Sequence, residues 1–322
     1  MIRRSARLTL GRNMEILIAQ IINGLSLGSI YVLLVTAFNL LLLVARVIHF
    51  SFPAIIVFSM YMAWFALQAT GSIIAGIGAS IVSAIILNMV SAPVFQHIMR
   101  GELRCKSRKR GTVDINATMV ISMGMGVIIT EFCSHSINKG FPVSFLTEDA
   151  DPSGWIALTR EPLWQHGLIS VSYGQALSLA VGIIAVAVLF RIIYRTRVGR
   201  AFRAMAENPG GAKLAGIPVF RTGLQSYFLT GLLGGITAAL MAMLLGFASA
   251  DLGDQLGHKV LGISIIAGLG NLAGGLVFAL LLGIVEALIQ GYFSGSWSNA
   301  AVFVIMLVVV LAKPKGVFGT KL

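Results

Sequence analysis

Long apolar stretches, separated by short polar segments, dominate the hydropathy pattern of this chain. Most are long enough to cross a hydrocarbon core of about 30 Å as an α-helix. They are continuous rather than alternating with polar residues, which excludes a membrane β-barrel. The pattern therefore predicts an all-α polytopic membrane bundle with about eight or nine crossings. The apolar stretches are residues 16–44, 53–67, 73–94, 116–133, 177–193, 224–247, 260–293 and 300–311.

Two of these stretches are too long for one simple crossing. Residues 16–44 require a tilt, a break or two short pieces. Residues 260–293 contain a Gly-Leu-Gly-Asn sequence at 268–271 and a Gly-Gly pair at 274–275. Glycines of this kind mark turns, so two shorter helices are expected there. A separate group of glycines is expected to allow close helix contact: Gly231, Gly234 and Gly235.

A charged segment at residues 195–221, which we call the elbow, separates two apolar stretches. Its basic residues outnumber its single acid, Glu207, and the positive-inside tendency places it in the cytoplasm. Residues 199–208 can form a short helix, residues 209–211 are expected to break it, and residues 212–215 can add one turn. By composition alone, the elbow also fits a basic loop that contacts lipid headgroups. Its basic residues, with one neighbour, are Arg191, Arg195, Arg197, Arg200, Arg203, Lys213 and Arg221.

Composition supports a membrane protein, because 57% of the 322 residues are hydrophobic and only 11% are charged. A net charge of +12 would suggest nucleic acid in a soluble protein, but here the excess lies in short loops and indicates orientation. The basic clusters at 100–110, 195–221 and 313–321 are assigned to the cytoplasm, together with the C-terminus. The acidic loops at 138–166 and 249–254 are assigned to the outside. No disulfide is expected between Cys105 and Cys133.

The N-terminus gives conflicting signals. Four arginines within residues 1–13 favour a cytoplasmic N-terminus, whereas three spans before the 100–110 loop place it outside. Either residues 16–44 cross twice, or translation begins at Met14 and residues 1–13 are a basic extension outside the natural product. The second alternative is favoured, because Met14 directly precedes the apolar run. It gives a transmembrane permease domain at residues 14–319.

Polar residues inside the apolar stretches are candidates for a translocation path. An ionisable residue such as Glu286 is costly in a membrane and usually faces the bundle interior or water. It is either a path or gate residue, or a structural glutamate that is protonated or paired with a neighbouring helix. Asparagine amides can line a polar path or bridge helices, and bridging is the safer interpretation. The candidates in these helices are Asn23, Tyr31, Asn39, Asn271 and Glu286.

Other polar residues have simpler alternatives. His49, shortly before Pro53, either marks a broken helix at a site or caps a loop. Glu131 fits a solvated helix end. His258 and Lys259 are expected to begin a helix from the outer side, with the lysine reaching the interface, although they could meet an anionic group. No metal-ligand spacing and no pairing of nucleophile and base can be named, which argues against an intramembrane enzyme.

Several sequence blocks resemble the permease subunits of branched-chain amino-acid ABC importers, a group that includes urea and short-amide permeases. Residues 23–31 are similar to the family's opening signature, and residues 197–218 to its cytoplasmic loop. The blocks at 269–275, 282–288 and 313–319 follow in the family's order, so the similarity covers most of residues 15–319. The chain departs from the family at residues 49–53, where His-Phe-Ser-Phe-Pro stands in place of Asn-Phe-Ala-His-Gly.

The resemblance implies a permease in the bacterial cytoplasmic membrane that pairs with a second permease subunit, receives solute from a binding protein and couples to two ATPase subunits. The chain has no G-x-x-x-x-G-K-[ST] loop, so ATP is expected to bind to the partners, and no cofactor is expected here. The substrate is a small polar solute, either a branched-chain amino acid or a related amino acid or amide. A secondary transporter or channel is the alternative. The ATPase-coupling residues implied by the family loop are Arg203, Ala204, Glu207, Asn208, Pro209, Gly210, Lys213, Leu214 and Gly216.

Overall fold

The computed structural model describes residues 2–104, 115–137, 140–147, 154–166, 169–293, 295–313 and 316–318, and helices dominate them. Within these ranges, seven helices are long and apolar enough to cross a membrane, and Trp297–Ala312 forms a shorter apolar helix. The predicted all-α membrane bundle is therefore confirmed. The helices are α1 (Ile2–Ala45), α2 (Phe52–Thr70), α3 (Ile73–Arg104), α4 (Ile115–Ser136), α5 (Trp155–Arg160), α6 (Tyr173–Arg195), α7 (Arg197–Glu207), α8 (Pro209–Leu214), α9 (Val219–Leu245), α10 (Leu252–Ala267), α11 (Leu272–Tyr292) and α12 (Gly295–Ala312).

In the described part of the chain, four short strands form two antiparallel pairs. They are β1 (Val143–Ser144), β2 (Pro162–His166), β3 (Ile169–Ser172) and β4 (Phe247–Ala248). Strand β1 pairs with β4, and β2 pairs with β3. The β1–β4 pair follows the ends of α4 and α9, so it marks one end of the bundle, which we call the far end. Helices α7 and α8 connect α6 to α9 at the opposite end, which we call the elbow end.

The central contact of the bundle is an antiparallel pair formed by α1 and α11. Glycines allow these two backbones to touch. A Cβ added to Gly24 would lie 2.5 Å from the Ile284 Cα, and a Cβ added to Gly283 would collide with the Gly28 backbone. Only residues without side chains permit such an approach, so these three glycines set the spacing of the helix pair.

A second glycine contact joins α9 to α3, as the glycine pattern predicts. A Cβ on Gly231 would lie 2.7 Å from the Ile85 Cα, and one on Gly235 would strike the Ile81 backbone. Gly234 instead faces the ring of Phe52, whose nearest atom would be 2.9 Å from an added Cβ. The close helix contact predicted for this glycine group is confirmed.

The first apolar stretch forms one helix rather than two. Its membrane-compatible part spans Met14–Ala45, which contains 32 residues and is about 48 Å long at the helical rise. The two-crossing alternative is therefore wrong, and a tilt accommodates the excess length. No break is needed, because this stretch contains no proline and its glycines are packed against α11. The start of translation at Met14 stays a prediction.

The long apolar stretch near the C-terminus forms two helices, as predicted. Gly268 and Gly270 occupy left-handed backbone conformations with φ values of 93° and 80°, and they turn the chain between α10 and α11. Helix α10 nevertheless begins at Leu252, earlier than expected. His258 and Lys259 consequently lie within this helix, so the prediction that they begin a helix is wrong.

The elbow contains two helices, but the break between them lies at a different residue from the predicted one. Residues 209–211 begin α8 rather than interrupting the helical path. Proline is tolerated at a first helical position because its missing N–H has no partner there. The break is at Asn208, where an extended backbone ends α7 and the side-chain oxygen accepts a 3.0 Å hydrogen bond from the Gly211 N–H.

The acidic segment at 138–166, which the sequence assigned to the outside, contains regular secondary structure. Its described part contains β1, α5 and β2, and Trp164 on β2 is exposed. Several predicted charge clusters lie partly or wholly outside the described residues: the acids Glu148, Asp149 and Asp151, the basic residues 106–110, and Lys315 and Lys321. Cys105 also lies outside them, whereas Cys133 is a buried free thiol.

Candidate functional site

Three ionisable side chains from three helices meet in the middle of the bundle. Lys259 Nζ on α10 lies 2.7 Å from Glu286 Oε1 on α11 and donates a 3.0 Å hydrogen bond to the Tyr31 hydroxyl of α1. That hydroxyl donates in turn to Glu286 Oε2 at 2.9 Å. Each of the three groups bonds to both of the others. We call this arrangement the triad.

The triad is buried, with relative exposures of 5% for Lys259, 3% for Glu286 and 3% for Tyr31. Removing two charges from water is expensive unless they are paired and hydrogen-bonded. Here the ammonium and the carboxylate neutralise each other, and the phenol supplies both a donor and an acceptor. The predicted interfacial position of Lys259 is therefore wrong, whereas Glu286 has the neighbouring-helix partner that the sequence left as an alternative.

The local structure explains how Tyr31 reaches the carboxylate. Helix α1 runs from the far end to the elbow end, because Arg46, directly after its last residue, contacts α7. It is antiparallel to α11, since Gly24 faces Ile284 and Gly275 faces Asn39. Helical side chains lean towards the N-terminus of their own helix. The Tyr31 ring therefore leans towards the far end, where Glu286 lies on α11.

The remaining candidates in α1 contact other parts of the bundle. Asn23 lies nearer the far end and accepts a 2.7 Å hydrogen bond from the Gln175 side chain of α6. Asn39 lies nearer the elbow end, is fully buried, and approaches the Asn271 carbonyl oxygen at 3.5 Å. Together with Tyr31, these amides place polar groups at three levels along α1.

Asn271 has the geometry of a helix cap. Its side-chain oxygen accepts from the Gly274 N–H at 2.9 Å, and its amide donates to the Phe318 carbonyl at 3.2 Å. It therefore begins α11 and holds the segment near the C-terminus against it. The Val317 N–H, which donates to the Ile266 carbonyl at 2.7 Å, attaches the same segment to α10.

His49 lies in the irregular segment between α1 and α2 and is fully buried. Its ring nitrogens lie 2.9 Å from the Ser51 hydroxyl and 3.2 Å from the Ser91 hydroxyl. The ring also packs against Phe95 and Tyr227, at centroid distances of 5.1 and 5.9 Å. His49 thus marks a break between helices, as one interpretation of the sequence predicted, and it is enclosed by α3 and α9.

The elbow presents a small, exposed surface on α8 and the residues beside it. Leu214 is 92% exposed, the highest value among the exposed large hydrophobic residues. Glu207, Asn208, Gly210, Lys213 and Gly216 are also exposed, whereas Arg203, Ala204 and Pro209 are half-buried. A single exposed apolar residue is ordinary on a protein surface, so Leu214 is a candidate contact because of its position on the elbow.

The buried face of the elbow anchors it to the bundle. Phe202 and Met205 of α7 and Ala212 of α8 are buried. Gly199 lies directly against the Ile193 carbonyl oxygen at the end of α6, where a Cβ could not fit. The guanidinium of Arg203 lies 5.7 Å from the centroid of the Tyr194 ring, which is within cation–π distance.

One connection to the elbow was not predicted from the sequence. The Arg46 guanidinium, at the end of α1, donates to the carbonyls of Ala206 and Glu207 at 3.0 and 3.3 Å. These carbonyls belong to the last turn of α7, where a cation is favourable because helix carbonyls there lack backbone partners. Arg46 has a left-handed backbone with φ of 52°. A lone arginine at the end of an apolar stretch was the only available sequence signal.

The described residues contain no group of three or more His, Cys, Asp or Glu that could hold a metal ion. The organised features of this part of the chain are thus an intramembrane polar triad, polar groups along α1, and an exposed elbow. Comparison with known proteins identifies the class of protein to which they belong.

Residues 20–311 match the family model for the permease component of branched-chain amino acid transport systems. The chain belongs to this family. It is therefore an integral membrane transport protein of the ABC importer class. No solved structure matches the chain.

Curated relatives agree with the family assignment. The high-affinity branched-chain amino acid permease LivH of Escherichia coli strain K12 is 23% identical over 93% of this chain and 94% of its own length. BraD of Pseudomonas aeruginosa is 22% identical over 93% of this chain and 95% of its own length. The ribose import permease RbsC of E. coli strain K12 is 26% identical over 67% of this chain and 64% of its own length. The similarity thus extends to permeases named for unrelated solutes.

Proposed function

We propose that this permease subunit imports a branched-chain amino acid, or a related small amino acid or amide, using ATP hydrolysed by partner subunits. The observation that carries the proposal is the elbow, whose exposed Leu214 projects from two short helices between α6 and α9. Two ATPase subunits would bind this surface in the complete complex, one on each of two permease subunits. The residues predicted for coupling lie on or beside α7 and α8, from Arg203 to Gly216.

The elbow end is assigned to the cytoplasm and the far end to the outside of the bacterial cytoplasmic membrane. The basic residues of the elbow support this orientation. The segment at 316–318, which lies within the basic cluster at 313–321, also packs at the elbow end, against the end of α10. The far end, with its short β-strands, would then receive solute from a binding protein. The lipid bilayer surrounds the exposed apolar faces.

The translocation path is proposed to follow the α1–α11 pair. Asn23, the Tyr31–Glu286 contact, and Asn39 beside Asn271 lie along this pair at successive levels from the far end to the elbow end. His49, in the break after α1, is enclosed by α3 and α9 rather than by the α1–α11 pair, and is a separate candidate at the elbow end. Hydrocarbon disfavours such groups, which supports a path that becomes hydrated during transport.

Reconstitution tests the energy source. The chain, co-expressed with its neighbouring permease and ATPase genes, is purified and placed in liposomes with the solute-binding protein. We expect the ATPases to co-purify and labelled leucine to accumulate only when ATP is supplied on the elbow side. Accumulation by the purified chain alone without ATP would instead establish a secondary transporter, and downhill flux alone would establish a channel.

A further inference from the structure

An exposed polar surface lies next to the triad, on the side of the triad that faces the far end. Asp254, Gln255 and His258 on α10 are all exposed. They occupy the helical turn that precedes Lys259, on the side towards the far end. Contact between hydrocarbon and such side chains is costly, so this part of α10 faces water or a polar partner.

Helix α11 contributes a matching group. Gln290 is exposed and lies one turn from Glu286, towards the far end. Its amide nitrogen lies 3.4 Å from Glu286 Oε1, the oxygen that also contacts Lys259. On the neighbouring helix, Gln255 accepts a 3.3 Å hydrogen bond from Asn299 of α12. Gln290 therefore joins the exposed surface directly to the buried ion pair. We call this residue and the exposed polar residues of α10 the polar mouth: Gln290, Asp254, Gln255 and His258.

We propose that Lys259 and Glu286 bind the two charged ends of a zwitterionic amino acid, with the polar mouth as its entrance. This inference rests on the proposed importer function and specifies the chemical class of its substrate. The α-carboxylate would pair with the Lys259 ammonium, and the α-ammonium with the Glu286 carboxylate.

Charge balance supports a zwitterion over other solutes. Without solute between them, Lys259 and Glu286 neutralise each other. A zwitterion that enters between them replaces one ion pair by two, so neither the empty nor the occupied site carries an unpaired charge. A solute with one charge would leave the opposite protein group unpaired and buried, which is strongly unfavourable. An uncharged sugar would separate the pair and compensate neither group.

The contacts of Tyr31 are compatible with this replacement of one ion pair by two. Its hydroxyl donates to Glu286 and accepts from Lys259, so it can keep one bond to either group while the ion pair separates. Because Tyr31 belongs to α1, it also connects the pair to the helix whose last turn is joined to the elbow through Arg46. Tyr31 is accordingly a positioning residue of the site.

The first experiment removes both charges together, by Lys259→Met with Glu286→Gln. This double variant leaves no unpaired buried charge, so the fold should persist. In reconstituted complexes with ATPases and binding protein, we expect at least a tenfold loss of leucine uptake, while the permease and ATPases remain assembled. Leucine uptake within twofold of wild type would overturn the proposal. Failure of the wild-type complex to import any branched-chain amino acid, related small amino acid or amide would instead overturn the proposed function.

A second measurement keeps both charges in place. Gln290→Cys introduces a thiol in the polar mouth, and Val277→Cys places one on the exposed apolar face of α11 as a control. A membrane-impermeant thiol reagent added from the far side should label Cys at 290, and saturating leucine should slow that labelling at least threefold. Labelling at 277 should not respond to leucine. Absence of labelling at 290, or labelling there that leucine leaves unchanged, would overturn the proposal even if the double variant failed to fold.

Discussion

Arg46 joins the end of α1 to the end of α7 through hydrogen bonds from its guanidinium to the Ala206 and Glu207 carbonyls. Helix α1 also carries Tyr31, so one continuous helix connects the elbow to the triad. Removal of the guanidinium should weaken this connection. We expect Arg46→Ala to lower the ratio of leucine imported to ATP hydrolysed at least fivefold, while the permease and ATPases remain assembled. Arg221→Ala, an exposed elbow arginine, is the control.

The backbone at Arg46 makes a separate prediction about stability. Its φ of 52° disfavours any residue with a Cβ, but glycine adopts it readily. Arg46→Gly and Arg46→Ala lose the same hydrogen bonds, yet the glycine variant should be more stable by about 1 kcal/mol. Thermal unfolding of the detergent-purified protein measures this difference. Equal stabilities would show that the left-handed backbone is not strained.

Leu214 should be the main apolar contact for an ATPase. Leu214→Glu replaces it with a charge, and because the side chain is 92% exposed, the permease itself should fold normally. We expect the ATPase subunits to be lost on size-exclusion chromatography and ATP-driven uptake to fall at least tenfold. Leu214→Met, which preserves apolar volume, should retain both the bound ATPase subunits and ATP-driven uptake. Retention of the ATPases by the glutamate variant would contradict docking at this surface.

Two other elbow residues test transmission rather than docking. Glu207 ends α7 and Gly216, with φ of 81°, turns the chain after α8. A Cβ at Gly216 would meet no atom within 4 Å, so Gly216→Ala acts through the backbone alone. Glu207→Ala and Gly216→Ala should uncouple ATP hydrolysis from uptake while membrane insertion stays normal. Unchanged coupling, measured as solute moved per ATP, would exclude these residues from transmission.

Three glycines with different surroundings give a graded series of variants: Gly283 in the α1–α11 contact, Gly262 on α10 and Gly78 on α3. Gly283→Ala should destabilise the protein by at least about 2 kcal/mol, because the new methyl group meets the Gly28 backbone. Gly262→Ala should have a smaller effect, since the nearest atom is the flexible Met306 sulfur at 2.5 Å. Gly78→Ala, which meets nothing within 4 Å, should be neutral or stabilising. Thermal unfolding should therefore rank the three variants in this order, and any other order would contradict the packing.

The helices and the elbow could be predicted because their signals are local. Apolar length identified the spans, glycines identified the α10–α11 turn, and charge identified the elbow. The start of α10 was misplaced because Asp251, Gly253 and Asp254 lower local hydropathy, although they belong to the helix or its cap. That error placed Lys259 at an interface rather than inside the bundle.

The side-chain contacts between helices could not be predicted, because they join residues far apart in the sequence. Lys259 and Glu286 lie on different helices, and Arg46 meets α7 across several intervening helices. Intramembrane charge gave a partial signal, since Glu286 requires a partner in a low-dielectric environment. The sequence does not specify which basic residue supplies it, because that depends on the packing of α1, α10 and α11.

A comparison of Ser91 with Ser59 tests whether a serine hydroxyl stabilises the protein through its contact with His49. Both are fully buried and both donate to a carbonyl of their own helix, but only Ser91 also contacts a His49 ring nitrogen. Ser91→Ala should cost about 1–3 kcal/mol, because it leaves a buried nitrogen without its partner. Ser59→Ala should cost less than about 1 kcal/mol, because its carbonyl acceptor keeps the helical backbone bond. Thermal unfolding compares the two, and equal losses would mean that the contact between His49 and Ser91 contributes nothing to stability.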